Sequence, residues 1–291
     1  MITRTCGACR IDAVEESRGP FRTPADLYPD ATPEIVARHM HWMAPDYMDA
    51  ETQMLLFSFR SYVIRTERLT ILVDACIGND KDRPGRPHWH RQTWPWMANL
   101  NAAGVTAEDI DIVMCTHLHI DHVGWNTQLV DGRWVPTFPN ARYVFSETEY
   151  RHWESMLGAS PVGDNVFNDS VLPVVEAGRA DLVADDHEID HGIVLEPTPG
   201  HTPGHAALHL ARGGDTALFT GDLFHHPLQV YEPDLSSTVC TDPDLSRTSR
   251  YDFLNKYADS GAVIYPAHFT GGVVGEIRTQ GGGFRFDFAQ T

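Results

Sequence analysis

The stretch CTHLHIDHVGWN, residues Cys115–Asn126, is the part of the sequence around which the rest is organised. It places three histidines and one aspartate close together: His117, His119, Asp121 and His122. The apolar run at residues 110–115 just before it predicts a buried strand. Because alternate side chains of an extended backbone share a face, we expect His117 and His119 to point the same way, with Asp121 and His122 aimed at a second point nearby. Imidazoles with one carboxylate suit zinc and its first-row neighbours, so the cluster predicts a site for two adjacent metals if other segments supply further ligands.

The composition limits the classes of partner. The 291 residues include 22 Lys and Arg against 40 Asp and Glu, a formal net charge of −18. Such an acidic surface repels phosphate backbones, which argues against a nucleic-acid substrate. Residues 1–16 contain no continuous apolar run of the kind that signal peptides carry, and no stretch approaches membrane-spanning length. We therefore expect a soluble, cytoplasmic protein that acts on a small molecule.

The cysteines indicate a reducing compartment. Their number, 5, is odd and they are scattered along the chain, which argues against a disulfide framework. Cys6 and Cys9 have CxxC spacing, but the sequence has no second pair to complete a site. Incidental thiols are favoured there over a metal or redox site.

Metal-type residues recur where predicted strands end. Strands predicted over 69–74, 216–220 and 263–265 run into Asp74, Asp222 and His268, and His201 follows a short strand over 193–196 through a Pro/Gly turn. Capping boxes at 106–109 and 146–149 predict helical starts, further helices are predicted over 165–175 and 246–260, and Gly213-Gly214 predicts a hairpin. Ligand-type residues at the ends of separate strands would line one sheet edge. We expect an α/β protein, a four-layer αββα sandwich, forming a single domain over residues 1–291.

Residues 18–50 are rich in proline, methionine and aromatic side chains and predict an irregular N-terminal arm or lid over a pocket. The alternative is a surface loop packed on the core. Trp42, Met43 and Tyr47 from this arm, with Trp125 after the cluster, would form an apolar wall of the pocket, or else belong to the core. If they line the site, the substrate has an apolar body.

The string at residues 117–122, followed by GHTPGH at 200–205, TGD at 220–222 and a final strand before His268, resembles the metallo-β-lactamase-fold superfamily. The resemblance implies that one metal is held by three histidines and the other by two histidines and an aspartate, with one aspartate bridging them: His117, His119 and His201; Asp121, His122 and His268; and Asp222. It also implies that Asp74 orients ligands from behind. The implied cofactors are two divalent metal ions, zinc first, with iron or manganese as alternatives.

Within that superfamily the chain is most similar to the lactonase and organophosphate-hydrolase branch. Class B β-lactamases generally carry Cys or Ser where this chain has Asp222, and the basic surfaces of RNA-processing and glutathione-thioesterase members are missing here. The implied reaction is cleavage of a carboxylic ester or lactone by a hydroxide that bridges the two metals. A phosphotriester hydrolase is the alternative, and a β-lactamase or an iron-dependent redox member is less favoured. The sequence leaves a homodimer open.

Two catalytic side chains are predicted. Asp121 would accept a proton from the attacking hydroxide. His225, the third residue after Asp222, stands where many acyl-homoserine lactonases have tyrosine; it either donates a proton to the leaving group or is a buried structural histidine. His226 is expected to be structural, and a turn-stabilising role is favoured for His205 over contact with substrate.

Overall fold

The computed structural model describes residues 2–157 and 165–289. Strands in these residues are β1 Ile2–Cys6, β2 Cys9–Arg22, β3 Leu55–Arg65, β4 Thr70–Val73, β5 Ile112–Met114, β6 Thr127–Val130, β7 Arg133–Pro136, β8 Arg142–Ser146, β9 Ala180–Val183, β10 Glu188–Asp190, β11 Ile193–Pro197, β12 Ala206–Arg212, β13 Asp215–Phe219, β14 Val263–Tyr265, β15 Gly275–Gln280 and β16 Gly283–Phe288. The α-helices are α1 Pro24–Leu27, α2 Pro33–Met43, α3 Trp96–Ala102, α4 Glu147–Ser155, α5 Leu172–Glu176, α6 Leu228–Tyr231 and α7 Pro243–Tyr257. Single 3₁₀ turns cover Ala107–Asp109, Gly124–Asn126 and Gly221–Leu223, and a π-helical turn, Phe167–Val171, precedes α5.

The chain divides into two units. The first unit contains Met1–Ser17 and Phe59–His187, and the second contains Arg18–Ser58 and Glu188–Thr291. Strands β2 and β3 begin in one unit and end in the other.

The first unit is built on a seven-stranded sheet with the order β1-β2-β3-β4-β5-β8-β9. Strands β4, β5, β8 and β9 run parallel to one another, with Val73 paired to Met114 at the ends of β4 and β5. Since parallel strands end at the same edge, the residues that follow β4 and β5 are neighbours. Buried apolar side chains, among them Trp96, Val113 and Phe145, form its core.

The second unit contains a seven-stranded sheet in sequential order from β10 to β16. Among the strand pairs of this sheet in the described residues, only β13 and β14 are parallel, with Phe219 opposite Tyr265, so the residues after these two strands are brought to one edge. Apolar side chains of α7 and of the sheet, including Phe253, Leu254 and Ile264, form its core. No helix in the described ranges is long and apolar enough to cross a membrane.

The α/β class is confirmed, and most elements lie where the sequence predicts them. The prediction of irregular structure over residues 18–50 was wrong, because this stretch contains α1 and α2. Both helices begin with proline at the first helical position. The side chains of Thr23 and Thr32, which precede the helices, each accept a hydrogen bond from a backbone N–H group of the first turn. Proline at that position starts a helix rather than breaking one. The arm-or-lid role and the single-domain assignment stay predictions.

Candidate functional site

In the first unit, four side chains of the metal-type stretch converge after β5. His117 and His122 are almost fully buried, and their ring centroids are 4.1 Å apart. His117 and His119 offer ligand atoms within 4.8 Å of each other, and the same limit holds for Asp121 and His122. This segment therefore presents two adjacent pairs of ligand atoms within one loop.

Asp74, which follows β4, organises two of these histidines. Its carboxylate accepts hydrogen bonds from the Thr116 backbone N–H (2.8 Å) and hydroxyl (3.0 Å), and from Nδ1–H of His122 (2.8 Å). Because the Thr116 hydroxyl proton points to Asp74, its oxygen accepts from Nδ1–H of His117 at 3.1 Å. Both imidazoles are thus left with Nε2 as the lone-pair nitrogen, the form that binds a metal. Asp74 has φ of 58°, a left-handed conformation that aspartate tolerates.

The backbone after the cluster packs directly on the segment after β4. Gly124 N–H donates to Cys76 O and Trp125 N–H donates to Ala75 O, each at 2.7 Å. A Cβ added at Gly124 would lie 1.8 Å from Ile77 O, so this close approach requires glycine.

A buried carboxylate that the sequence did not identify holds the same region. Glu16 on β2 accepts hydrogen bonds from Ile77 N–H (3.0 Å), Gly78 N–H (3.0 Å) and Trp125 Nε1–H (2.7 Å). Burial raises the pKa of Glu16 to about 7 against the effect of these donors, and the charge of Asp121 adds to the rise. Glu16 therefore ties β2 to both segments that form the loop.

Glu149 supports the loop from α4. Ser146 caps this helix by accepting from Glu149 N–H, as the sequence predicts, but the Glu149 carboxylate turns to the loop, where it accepts from Leu118 N–H (3.0 Å) and Trp153 Nε1–H (2.6 Å). The Trp153 ring lies edge-on to His119, with centroids 5.3 Å apart. In the sequence, a glutamate at the third helical position indicates only a helix cap. The spacing of residues does not reveal that its carboxylate binds the loop at Leu118.

In the second unit, the Asp222 carboxylate stands between three histidines. His201 Nε2 lies 3.2 Å from Oδ2 of Asp222, and His268 Nε2 lies 2.8 Å from Oδ1. His225 Nε2 is 3.3 Å from Oδ2. The two carboxylate oxygens therefore face different histidines.

Hydrogen bonds set the positions of these side chains. Asp222 N–H donates to His205 Nε2 (3.0 Å), so the proton on His205 is at Nδ1, which donates to Thr198 Oγ1 (2.8 Å). This arrangement agrees with the turn-stabilising role predicted for His205. His268 Nδ1–H donates to Ser58 O at 3.0 Å and leaves Nε2 as its lone-pair nitrogen.

The turn that carries His201 needs a glycine. Gly200 has φ of 122°, and a Cβ there would lie 2.1 Å from Ser246 N. The turn is further held by Asp242 N–H donating to Gly200 O and Thr241 N–H donating to His201 O. The Pro/Gly turn therefore fixes His201 against the start of α7.

His225 and His226 are adjacent but differ in their contacts. His226 uses both ring nitrogens on the backbone: Nδ1 accepts from Leu228 N–H, and Nε2–H donates to Tyr47 O. Burial lowers the pKa of His226 to about 4, so it is neutral and structural, as predicted. The ring of His225 is 3% exposed, and its Nδ1 has no hydrogen-bond partner within residues 2–157 and 165–289.

The predicted pocket residues pack within their own units. Trp125 is a core residue of the first unit, where its ring stacks on Trp96 with centroids 5.3 Å apart. This position agrees with the alternative that Trp125 belongs to the core. In the second unit, Met43 is buried. Trp42 stacks on Tyr231 (4.5 Å), and Tyr47 stacks on Phe288 (4.7 Å). A substrate-facing role for the arm residues stays a prediction.

Each unit carries side chains of the types that bind divalent first-row metals. Imidazole nitrogens and carboxylates are the ligands such metals prefer. Acceptors at Nδ1 hold His117 and His122 in the first unit and His268 in the second in the tautomer that presents Nε2. Metal-binding histidines usually have this second hydrogen bond.

Comparison with known proteins gives a family and a group of relatives. A profile described as the Metallo-beta-lactamase superfamily matches residues 60–268, more than half of the chain. An N-acyl homoserine lactonase from Bacillus sp is 28% identical over 158 residues, which cover 50% of this chain and 56% of the relative. The chain thus spans little more than half the length of that relative.

Solved structures agree on the fold. The hydrolase AbOPH, in the beta lactamase superfamily, matches with a TM-score of 0.81 at 22% identity and covers 99% of this chain and 97% of its own. AidC, a dizinc quorum-quenching lactonase in complex with a product, matches with a TM-score of 0.79 at 19% identity and covers 100% and 97%. The predicted metallo-β-lactamase fold is confirmed.

Proposed function

Because the chain belongs to the metallo-beta-lactamase superfamily, we propose that it is a metal-dependent hydrolase that cleaves the carboxylic ester or lactone bond of a small molecule. The surroundings of Asp222 support this proposal most directly. Two histidines face its two oxygens, and a third, His225, has a buried ring nitrogen with no partner in the described part of the chain. A buried polar atom without a partner is costly unless a ligand satisfies it.

The ligands of the two units would act together. The proposed assignment follows the family resemblance: His117, His119 and His201 would hold one metal, Asp121, His122 and His268 would hold the second, and Asp222 would serve both. Zinc is the favoured metal because the donors are nitrogen and carboxylate oxygen. Bound divalent metals would supply Lewis acidity that activates water at neutral pH and polarises a carbonyl oxygen.

The side chains of the protein supply the remaining chemistry. Asp74 keeps the proton of His122 on Nδ1, and Ser58 O does the same for His268, so Nε2 is the lone-pair nitrogen of both rings. Asp121 would accept the proton of the attacking water. His225 would donate a proton to the departing alkoxide, a role in which an imidazolium is a stronger acid than a phenol at neutral pH.

The substrate class follows from two features. The relatives found by sequence include N-acyl homoserine lactonases. The residue at position 222 is aspartate, whereas class B β-lactamases generally carry Cys or Ser there. We therefore place lactones and carboxylic esters ahead of β-lactams and phosphotriesters.

A substrate panel tests the proposal. Alkyl lactones, nitrophenyl esters, phosphotriesters and a β-lactam are assayed with protein whose zinc, iron and manganese have been quantified. The proposal predicts turnover of lactones or esters well above the other classes. Efficient β-lactam or phosphotriester turnover with lactones inert would contradict it.

The role of His225 is tested by the leaving group. His225→Ala should retain its metals, lose about 10²–10⁴-fold in rate on alkyl lactones and lose little on nitrophenyl esters, whose leaving groups need no protonation. His226→Gln is the matched control, because His226 contacts only backbone groups through its ring nitrogens. Any loss in that control should be equal on both substrates. Equal losses in His225→Ala would refute the proton-donor role.

A further inference from the structure

The side chain of Gln229, on α6, is fully buried and connects three separate segments of the second unit. Its Oε1 accepts hydrogen bonds from the backbone N–H of His225 (2.8 Å) and from the hydroxyl of Tyr28 (3.1 Å). Its Nε2 donates to Leu235 O at 2.8 Å. The donor and acceptor ends of the amide are therefore both fixed by their partners.

The ring of His225 has few short contacts of its own, and its Nε2 lies 3.3 Å from Oδ2 of Asp222. Its Nδ1 makes no hydrogen bond to the residues that the structure describes. Ser237 Oγ lies 3.5 Å from Nε2, the outer limit of a hydrogen bond. The ring contacts His201 edge-on, with centroids 4.9 Å apart, but ring contacts of this kind are weakly directional. The hydrogen bond from the backbone N–H to Gln229, at 2.8 Å, is shorter than either of these contacts of the ring nitrogen.

Buried groups hold Gln229 in turn. Tyr28 is fully buried, and burial raises the pKa of its phenol, so the hydroxyl keeps its proton and donates. Arg250 donates to Leu223 O (3.2 Å) and Pro233 O (2.7 Å), which flank the segment that contains Gln229. The segment after Asp222 is thus fixed at both ends and at its centre.

We propose that Gln229 is a positioning residue that fixes the backbone at His225 so that the imidazole stays beside Asp222. The inference rests on the proposed function, in which His225 protonates the leaving group. A small displacement of a catalytic group is enough to reduce the rate strongly. Both ends of the Gln229 amide are occupied by protein groups, so the residue would act through His225.

Gln229→Leu is the first test, because it keeps the size of the side chain and removes the acceptor. We expect kcat on alkyl lactones to fall about 10-fold or more, with less than about threefold loss on nitrophenyl esters and unchanged metal content. Gln229→Glu keeps an oxygen for both donors and, with its buried carboxyl protonated, an O–H that replaces Nε2–H as the donor to Leu235 O, so it should recover most of the lactone rate. Gln128→Leu, an exposed position on β6, is the matched control and should change neither rate.

The outcomes separate the two ideas. If His225→Ala shows the selective loss and folded Gln229→Leu loses equally on both substrates or not at all, Gln229 has no positioning role, and the proposed function stands. If His225→Ala shows no selective loss, the proton-donor role fails, and the inference fails with it. Gln229→Met, with an unbranched side chain, replaces the leucine variant if that protein does not fold, and the same readings apply.

Discussion

Replacing Gly124 by alanine tests whether the loop that carries the first unit's ligands depends on a close backbone contact. The new Cβ would lie 1.8 Å from Ile77 O and 2.5 Å from Gly78 N, both backbone atoms, where ordinary contacts begin at 3.4 Å. One segment must therefore move by about 1.6 Å, the difference between 3.4 and 1.8 Å. No flexible side chain is available to absorb that shift.

The shift breaks buried hydrogen bonds that can be counted. Gly124 N–H to Cys76 O, Trp125 N–H to Ala75 O, and Ala75 N–H to His122 O all measure 2.7 Å and join the two segments. At about 1 kcal/mol net for each bond, and more where a buried group loses its partner, the variant should lose about 3 kcal/mol or more of unfolding free energy. Metal affinity should fall as well, because His122 lies on the displaced segment.

Urea unfolding and chelator competition measure both effects. Gly19→Ala is the matched control: a Cβ at Gly19 meets nothing within 4 Å, and its stability should stay within about 0.5 kcal/mol of the parent. A Gly124→Ala protein as stable as the control, with unchanged metal affinity, would refute the close-contact argument.

Two other substitutions test the hydrogen-bond networks. Asp74→Asn keeps a residue that tolerates φ of 58°, but an amide cannot accept hydrogen bonds from both Thr116 and His122. Metal affinity, measured by chelator competition, should therefore fall about 10–100-fold. An unchanged affinity would contradict the role of Asp74. His226 has a pKa of about 4 in the folded state against 6.5 ordinarily, so the unfolded state binds more protons between these two pH values. The stability that neutral His226 contributes is therefore fully present above about pH 6.5 and is lost as the pH falls through 4. The loss should reach about 3 kcal/mol in the parent and be largely absent in His226→Gln; parallel curves of unfolding free energy against pH would contradict this assignment.

Elements that depend on neighbouring residues are predicted correctly from the sequence. Apolar runs before Asp74, Asp222 and His268 place these residues at strand ends, because the strands are short, buried and bounded by turn residues. The hairpin at Gly213-Gly214 and the cap at Ser146 are likewise set by neighbouring residues.

Side chains whose partners are distant in sequence were not predicted. Glu16 reaches Trp125 across 109 positions, and Tyr28 reaches Gln229 across 201. No periodicity or spacing encodes such pairs, since tertiary packing alone brings them together. The sequence left two readings of Trp125 open for a related reason: an aromatic residue beside a ligand cluster has the same local signature whether it faces a pocket or, as here, stacks in the core.

We propose, from the family resemblance, that the metal-type residues serve two metals in one hydrolytic reaction. The most direct test adds zinc stepwise to chelator-stripped protein while hydrolysis of an alkyl lactone is followed and bound metal is quantified. We predict that activity rises until about two zinc ions are bound per chain and that Asp222→Ala abolishes both binding of the second ion and activity. Full activity with about one ion per chain would contradict the two-metal site.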